Sequence, residues 1–177
     1  MYIQNVWCKM VNRCLSPELS GNMVVFLYQH TNELINRVLT YSIELKYSNY
    51  TSTQREAWRA SVNGINDVIK DYVELCNVTP EITCNEPAGG DILSAFGIAE
   101  AHKHKKRGIE PAVFLGLYKY FVWAYLDTLE DFGKNEEERE MSRELITKIF
   151  NKIEHAFVAE WMSMSGNTAS AEFIVEE

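Results

Sequence analysis

The chain has 177 residues, of which 46% are hydrophobic and 12% aromatic, and this composition excludes a disordered or fibrous class. Its length suits one domain with a genuine core. The net charge of −8 argues against a dedicated nucleic-acid binder, because phosphate contacts need a basic face. We find no apolar signal segment at the amino terminus and no stretch of the ~20 apolar residues that a membrane span requires. The sequence therefore predicts a cytoplasmic protein.

The four cysteines, at positions 8, 14, 76 and 84, form no C-x-x-C pair. Cys76, Cys84, His102 and His104 can be assembled into a zinc set, but their spacings match no standard zinc motif. Buried free thiols are the preferred interpretation, since a cytosolic setting disfavours disulfides. We expect no metal site.

Apolar residues recur at helical spacing along the whole chain and predict an all-α fold of about six helices in a single domain, with no convincing strand. The first predicted helix covers about Tyr2–Leu15. Ser16-Pro17 ends it, because proline disfavours a helical residue before it. A second, long helix is predicted at about Asn22–Tyr47.

The third helix begins after a turn, where Thr53 and Glu56 fit a capping box. Its apolar stripe consists of Trp58, Val62, Ile65, Ile69 and Tyr72. The longest predicted loop follows at Asn77–Gly90, with two prolines and two glycines, and is either a mobile lid or a connector.

The fourth helix is predicted to start after Asp91 as its cap and to run to about Arg107, where Gly108 supplies a left-handed stop. Pro111 then lies in the first turn of the fifth helix, where its missing N–H costs nothing. That helix runs to Phe132 and ends at Gly133.

The fifth helix has apolar residues on nearly every face, and a helix of this kind must be covered all round. It is therefore predicted to be central to the fold or to face a partner subunit. The residues concerned are Phe114, Leu115, Leu117, Tyr118, Phe121, Val122, Tyr125 and Leu126.

The last helix is predicted to open at Glu136 with Asn135 as its cap and to stop near Gly166. It is expected to bury Leu145, Ile149, Ile153, Phe157 and Trp161. Residues 1–166 then form the domain, and residues 167–177 are read as the start of a linker.

Motifs of nucleophilic catalysis are missing from the sequence. It contains no G-x-S-x-G elbow, no H-E-x-x-H pair and no glycine-rich phosphate loop after a strand. We therefore expect no catalytic residue in this chain, and the candidate for chemistry is a histidine, His104.

The segment "HKKRGIEPAVFLGLY", which begins at His104, resembles a signature of the globin-coupled sensors. In that family the haem-ligating histidine stands four residues before a glycine, a proline follows three residues after the glycine, and an aromatic-x-Gly comes next. Gly108, Pro111, Phe114 and Gly116 occupy the corresponding positions. The resemblance puts the proximal haem ligand at His104, although Lys106-Arg107 stand where an aliphatic residue usually precedes the glycine.

Three blocks, "YSNYTSTQREAWRASVNGI", "DILSAFGIAEAHKHKKRGI" and "FLGLYKYFVWAYLDTL", together resemble the N-terminal domain of bacterial cytosolic sensor histidine kinases. That domain is related to the globin-like sensors, including the non-haem sensors of stressosome proteins. The likeness covers about residues 20–165. It implies a globin-like, non-catalytic sensory and dimerisation module of a two-component system, homodimeric and followed by a PAS or kinase region.

Three hypotheses about the site stay open. The preferred one is a non-haem sensor whose aromatic residues either line a ligand pocket or form plain core: Trp58, Phe96, Phe114, Tyr118 and Phe121. The second is a haem-based gas sensor ligated through His104, which requires a neutral imidazole facing an apolar slot. The third is a histidine phosphotransfer domain, but Gly108 and Pro111 break the helix where that module continues it.

Overall fold

A computed structural model describes residues 15–47, 54–76, 78–82, 90–133 and 135–166. Within these residues the chain forms helices and no strand, so the all-α prediction is confirmed. We number the six described helices α1 Pro17–Gln29, α2 Thr31–Glu44, α3 Arg55–Leu75, α4 Ile92–Lys106, α5 Pro111–Phe132 and α6 Glu136–Met164.

The predicted ends of the later helices are confirmed. The Asp91 carboxylate accepts the amides of Leu93 and Ser94 at 2.8 and 3.0 Å and so caps α4. Asn135 caps α6 by accepting the amide of Glu138 at 2.9 Å. At the other end of α4, Gly108 has φ +69°, the left-handed conformation that glycine adopts without a steric cost. Pro111 is the first residue of α5.

The prediction of one helix over Asn22–Tyr47 is wrong, because the chain forms two helices there. The first of them already begins at Pro17: the Ser16 side chain accepts the amide of Leu19 at 3.1 Å, and proline is favoured in the first helical position. Ser16-Pro17 therefore starts a helix. The helix predicted at Tyr2–Leu15 lies, except for Leu15, outside the described residues.

The break between α1 and α2 falls at His30, which has φ −100° and ψ 13°. No proline or glycine marks this position in the sequence. The Thr31 hydroxyl donates to the carbonyl oxygens of Leu27 and Tyr28, both at 3.1 Å. Such bonds from a threonine to the preceding turn compete with the helix and bend it. This local chemistry explains a break that the hydrophobic pattern alone does not reveal.

The core confirms most of the predicted apolar faces. All five residues of the α3 stripe are buried, and so are Leu145, Ile149, Ile153 and Phe157 of α6. Trp161 is only half-buried, so its assignment to the core was wrong. It begins the last turn of α6, where its ring stacks on Phe157 and lies beside the Lys105 ammonium group.

The expectation that α5 is covered on every side within the fold is also wrong. Tyr118, Phe121 and Tyr125 are buried, but Phe114 is half-buried and Trp123 is 52% exposed. α5 packs on α6 and α2 and contacts α3 and α4 through side chains, but the side that carries Trp123 is left exposed. The alternative, that this side faces a partner subunit, stays a prediction.

Other parts of the predicted organisation lie outside the described residues. These are Thr53 of the capping box, most of the Asn77–Gly90 loop and the linker at 167–177. No helix in the described part of the chain is both long and apolar enough to cross a bilayer.

Candidate ligand-binding site

A cavity of about 470 Å³ lies between α3, α4 and α5. Its volume falls within the roughly 300–1,000 Å³ typical of small-molecule sites. The structure places all six sequence-predicted site residues in its wall: Trp58, Phe96, His104, Phe114, Tyr118 and Phe121. These residues come from three helices, α3, α4 and α5, and the fold brings them together around one cavity.

The cavity exists because α3 presents small side chains to it. Ala57, Ala60, Ser61 and Gly64 follow one another at helical spacing and line one wall. A Cβ built on Gly64 would meet no atom within 4 Å, so the space beside it is open. The sequence-based prediction did not include this wall, because it named only aromatic residues and His104. The signal was the run of small residues at 57, 60, 61 and 64.

His104 lies in the last turn of α4, and its side chain is 18% exposed. Its Nδ1 atom is 2.8 Å from the backbone oxygen of Glu100 and 3.5 Å from the Glu100 carboxylate. A carbonyl oxygen can only accept, so this contact assigns the hydrogen to Nδ1 and leaves the Nε2 lone pair free in the neutral ring. Nε2 has no hydrogen-bond partner among the described residues.

The surroundings of His104 favour its neutral form. Burial lowers the pKa of the imidazole, and the positive charges of Arg107 and Lys103 lower it further. Glu100 opposes this effect through its carbonyl oxygen and its carboxylate. The net shift of the His104 pKa is downward, so the ring is uncharged at neutral pH.

These features fit a haem ligand set. A proximal histidine needs a neutral ring with one nitrogen anchored by hydrogen bonding and the other free for iron. His104 meets both conditions, the walls are largely apolar, and Lys103 and Arg107 line the same cavity, where they would hold the propionates. Lys103 already contacts the Glu100 carboxylate at 2.6 Å, so a propionate would compete with that pair.

The same geometry gives no support to the phosphotransfer hypothesis. A phosphoryl acceptor is exposed in the middle of its helix, whereas His104 is largely buried and two residues from the end of α4. The zinc set gains no support either. His102 contacts Glu160 at 2.9 Å, Cys84 is outside the described residues, and no group of three potential ligands forms a metal site in the described part of the chain.

A row of four aromatic rings leads from the cavity to the end of the last helix. His104 packs on Phe114 with ring centroids 4.4 Å apart, and Phe114 stacks on Phe157 at 3.9 Å with an interplanar angle of 12°. Phe157 in turn stacks on Trp161 at 5.5 Å. The half-buried Phe114 thus belongs to both the cavity wall and the packing of α6.

The fold is an all-α domain, and a largely apolar cavity lies between α3, α4 and α5. In comparisons with known proteins, no family model, curated protein or solved structure matches this chain significantly. The resemblance to globin-like sensors therefore stays a prediction.

Proposed function

We propose that this chain is a small-molecule sensory domain, which binds an apolar ligand in the cavity and passes its occupancy to α6. The observation that carries the proposal is the position of Phe114. Its ring lines the cavity and stacks directly on Phe157 of the last helix. A ligand that displaces this ring must also change the packing of α6, because close-packed cores adjust in discrete rearrangements rather than by continuous deformation.

The thermodynamic requirement on such a sensor is unequal binding. A ligand shifts a conformational equilibrium only by the difference between its affinities for the two states. The cavity offers a physical basis for that difference, since a change in the spacing of α3 and α4 alters its width. A ligand that fits the wider state would stabilise that state.

At the level of the whole protein, we propose the N-terminal sensory and dimerisation domain of a histidine kinase in a two-component system. The support for this is the sequence resemblance over about residues 20–165, together with the all-helical fold. On this proposal the domain is cytoplasmic, homodimeric and non-catalytic, and α6 leads towards a PAS or kinase region. If no cavity-filling substitution changes the rate of autophosphorylation of the full-length protein, the proposal is contradicted.

Binding to the cavity can be tested with 1-anilinonaphthalene-8-sulfonate (ANS), a fluorophore that brightens in apolar sites. Gly64→Leu places a side chain in the cavity and should lower ANS affinity by about tenfold or more, which corresponds to ~1.4 kcal/mol. Gly21→Leu is the matched control, since Gly21 is exposed on α1, has open space around it and lies away from the cavity. Equal ANS affinity in both variants would reject the cavity as the binding site.

Haem is the second candidate ligand, and the bond from His104 Nδ1 to Glu100 is the observation that favours it. When bound, haem would supply a gas-binding iron. An absorption spectrum after haem addition tests the idea: a strong Soret band in the wild type should be shifted or lost in His104→Ala. A protein that gives the spectrum of free haem under the same conditions has no haem site.

A further inference from the structure

We propose that α4 and the C-terminal half of α6 form one rigid unit, which turns against α3 when the cavity is filled. This inference rests on the proposed sensory function and adds the way in which occupancy reaches the end of α6. It depends on three sets of contacts, at the middle and at both ends of α4.

The middle contact is a direct crossing of two backbones at Gly97. A Cβ built on Gly97 would collide with the carbonyl oxygen of Ile153 and would lie 3.1 Å from the Cβ of Ala156. Ala101, one turn further along α4, is also buried. Small residues at i and i+4 let two helices approach until their backbones touch. At this distance one helix cannot slide along the other without a clash.

At the start of α4, a buried lysine attaches the helix to α6. Lys152 of α6 contacts the Asp91 carboxylate at 2.8 Å, and its side chain is only 9% exposed. The same ammonium group donates to the backbone oxygen of Glu81 at 2.9 Å. Asp91 is also the cap of α4, so the ion pair attaches α6 to the first turn of α4. Breaking a buried pair is costly because it leaves a charge without its partner.

At the end of α4, two further residues contact the last turns of α6. His102 Nε2 lies 2.9 Å from a Glu160 carboxylate oxygen. Lys105 donates to the Ser165 hydroxyl at 3.2 Å, and its ammonium group lies 5.7 Å from the centre of the Trp161 ring. All of these contacts fall between Lys152 of α6 and Ser165, the residue that follows the helix.

α3, which forms the opposite wall of the cavity, also packs on α4, but α4 packs far more extensively on α6. Trp58 of α3 packs on Phe121 of α5 with centroids 6.0 Å apart, while the small residues of α3 leave space in front of α4. α5 contacts α6 at several places: the Tyr118 hydroxyl donates to the backbone oxygen of Phe150 at 2.8 Å, Lys119 pairs with Glu154, and Phe114 stacks on Phe157. The Tyr118 contact comes before the part of α6 that is held by α4, and we assign it as the pivot. Helix movements of about 1–2 Å are typical of such transitions.

Distances between spin labels test the inference directly. Labels are placed in pairs at the exposed positions Glu56, Ala99 and Ala159, in a chain whose four native cysteines are replaced by serine. On saturation with ANS, the Glu56–Ala99 and Glu56–Ala159 distances should change together by about 1–2 Å, while Ala99–Ala159 stays constant. A change in Ala99–Ala159, or no change in any pair despite ANS binding, overturns the rigid unit but leaves the cavity intact. If ANS does not bind in the cavity, both the proposed function and this inference are contradicted.

Gly97→Ala supplies an independent test, with Gly21→Ala as its control. Both substitutions replace a helical glycine, but only the methyl group at position 97 meets the backbone of α6. Gly97→Ala should lengthen the Ala99–Ala159 distance and abolish the concerted response to ANS. Gly21→Ala, on α1 and away from the cavity, should leave the distance and the response unchanged. An unchanged Ala99–Ala159 distance in Gly97→Ala contradicts the crossing that we assign.

Discussion

The hydroxyl of Tyr125 donates a 2.7 Å hydrogen bond to the side-chain oxygen of Asn66 in the interior of the bundle. Asn66 is fully buried, and its amide nitrogen donates to the Thr31 hydroxyl at 3.3 Å and to the backbone oxygen of Leu27 at 3.4 Å. Burial raises the pKa of Tyr125 well above its usual value, so the phenol stays a donor. One polar network therefore joins α5, α3 and the junction of α1 with α2.

Tyr125→Phe should destabilise the protein by about 1–3 kcal/mol, because it leaves the buried oxygen of Asn66 without this donor. Tyr118→Phe is the matched control: Tyr118 donates to a helical backbone oxygen, which keeps its own partner within the helix. Its loss should cost about 0.5–1.5 kcal/mol. Urea unfolding of the two variants measures the difference, and a Tyr125→Phe variant as stable as Tyr118→Phe would contradict the network.

Lys152→Met should cost about 3 kcal/mol, because it removes one partner of a buried ion pair and frees the carbonyl of Glu81. Lys148→Met, one turn earlier on the same helix, is the control. Lys148 contacts Glu81 and Glu144 at the surface, where such pairs contribute less than about 1 kcal/mol. Thermal or urea unfolding separates the two, and equal losses would show that the Asp91 pair adds nothing beyond a surface contact.

The stability of the wild type should fall as the pH drops below about 6.5, partly because of His104. Its pKa is lowered in the folded state by burial and by Arg107 and Lys103, so the unfolded chain binds the proton more tightly. Stability from this group is therefore full above the unfolded pKa and is lost as the pH falls towards the lower folded pKa. His104→Gln should flatten this part of the profile of unfolding free energy against pH.

His155→Gln is the control for this pH profile, since His155 is exposed on the outer side of α6. Its profile should keep the shape of the wild-type curve between pH 5 and 7, an interval that brackets the ordinary histidine pKa of about 6.5. If His104→Gln also retains the full pH dependence, the lowered pKa of His104 does not contribute to stability.

Local signals in the sequence predicted much of the fold. Helix ends are marked by effects that act within a few residues. The caps are Asp91 and Asn135, the left-handed stop is Gly108, and the fixed φ is that of Pro111. The break at His30 was missed because it depends on the Thr31 hydroxyl, which bonds to the carbonyl oxygens of the preceding turn and leaves no mark in the hydrophobic pattern. The exposure of Trp123 was missed because periodicity does not show which neighbours cover a helix.

The sequence named several residues that line the cavity, but not the shape of the cavity. A motif and aromatic composition pointed to His104 and five rings, and all line one cavity. The empty space depends on the small residues of α3. These residues carry no reactive or aromatic side chain and so were not predicted as part of a site. The contact of Phe114 with Phe157 joins residues 43 positions apart, and no local pattern encodes such a pairing.

Amide hydrogen exchange across α6, with and without saturating ANS, tests most directly whether occupancy of the cavity reaches the last helix. We expect slower exchange in the turns from Phe157 to Met164 of the wild type and of Gly21→Leu, and no change there in Gly64→Leu. If bound ANS slows exchange only in α3 and α5 and leaves exchange in α6 unchanged, occupancy of the cavity does not reach the last helix.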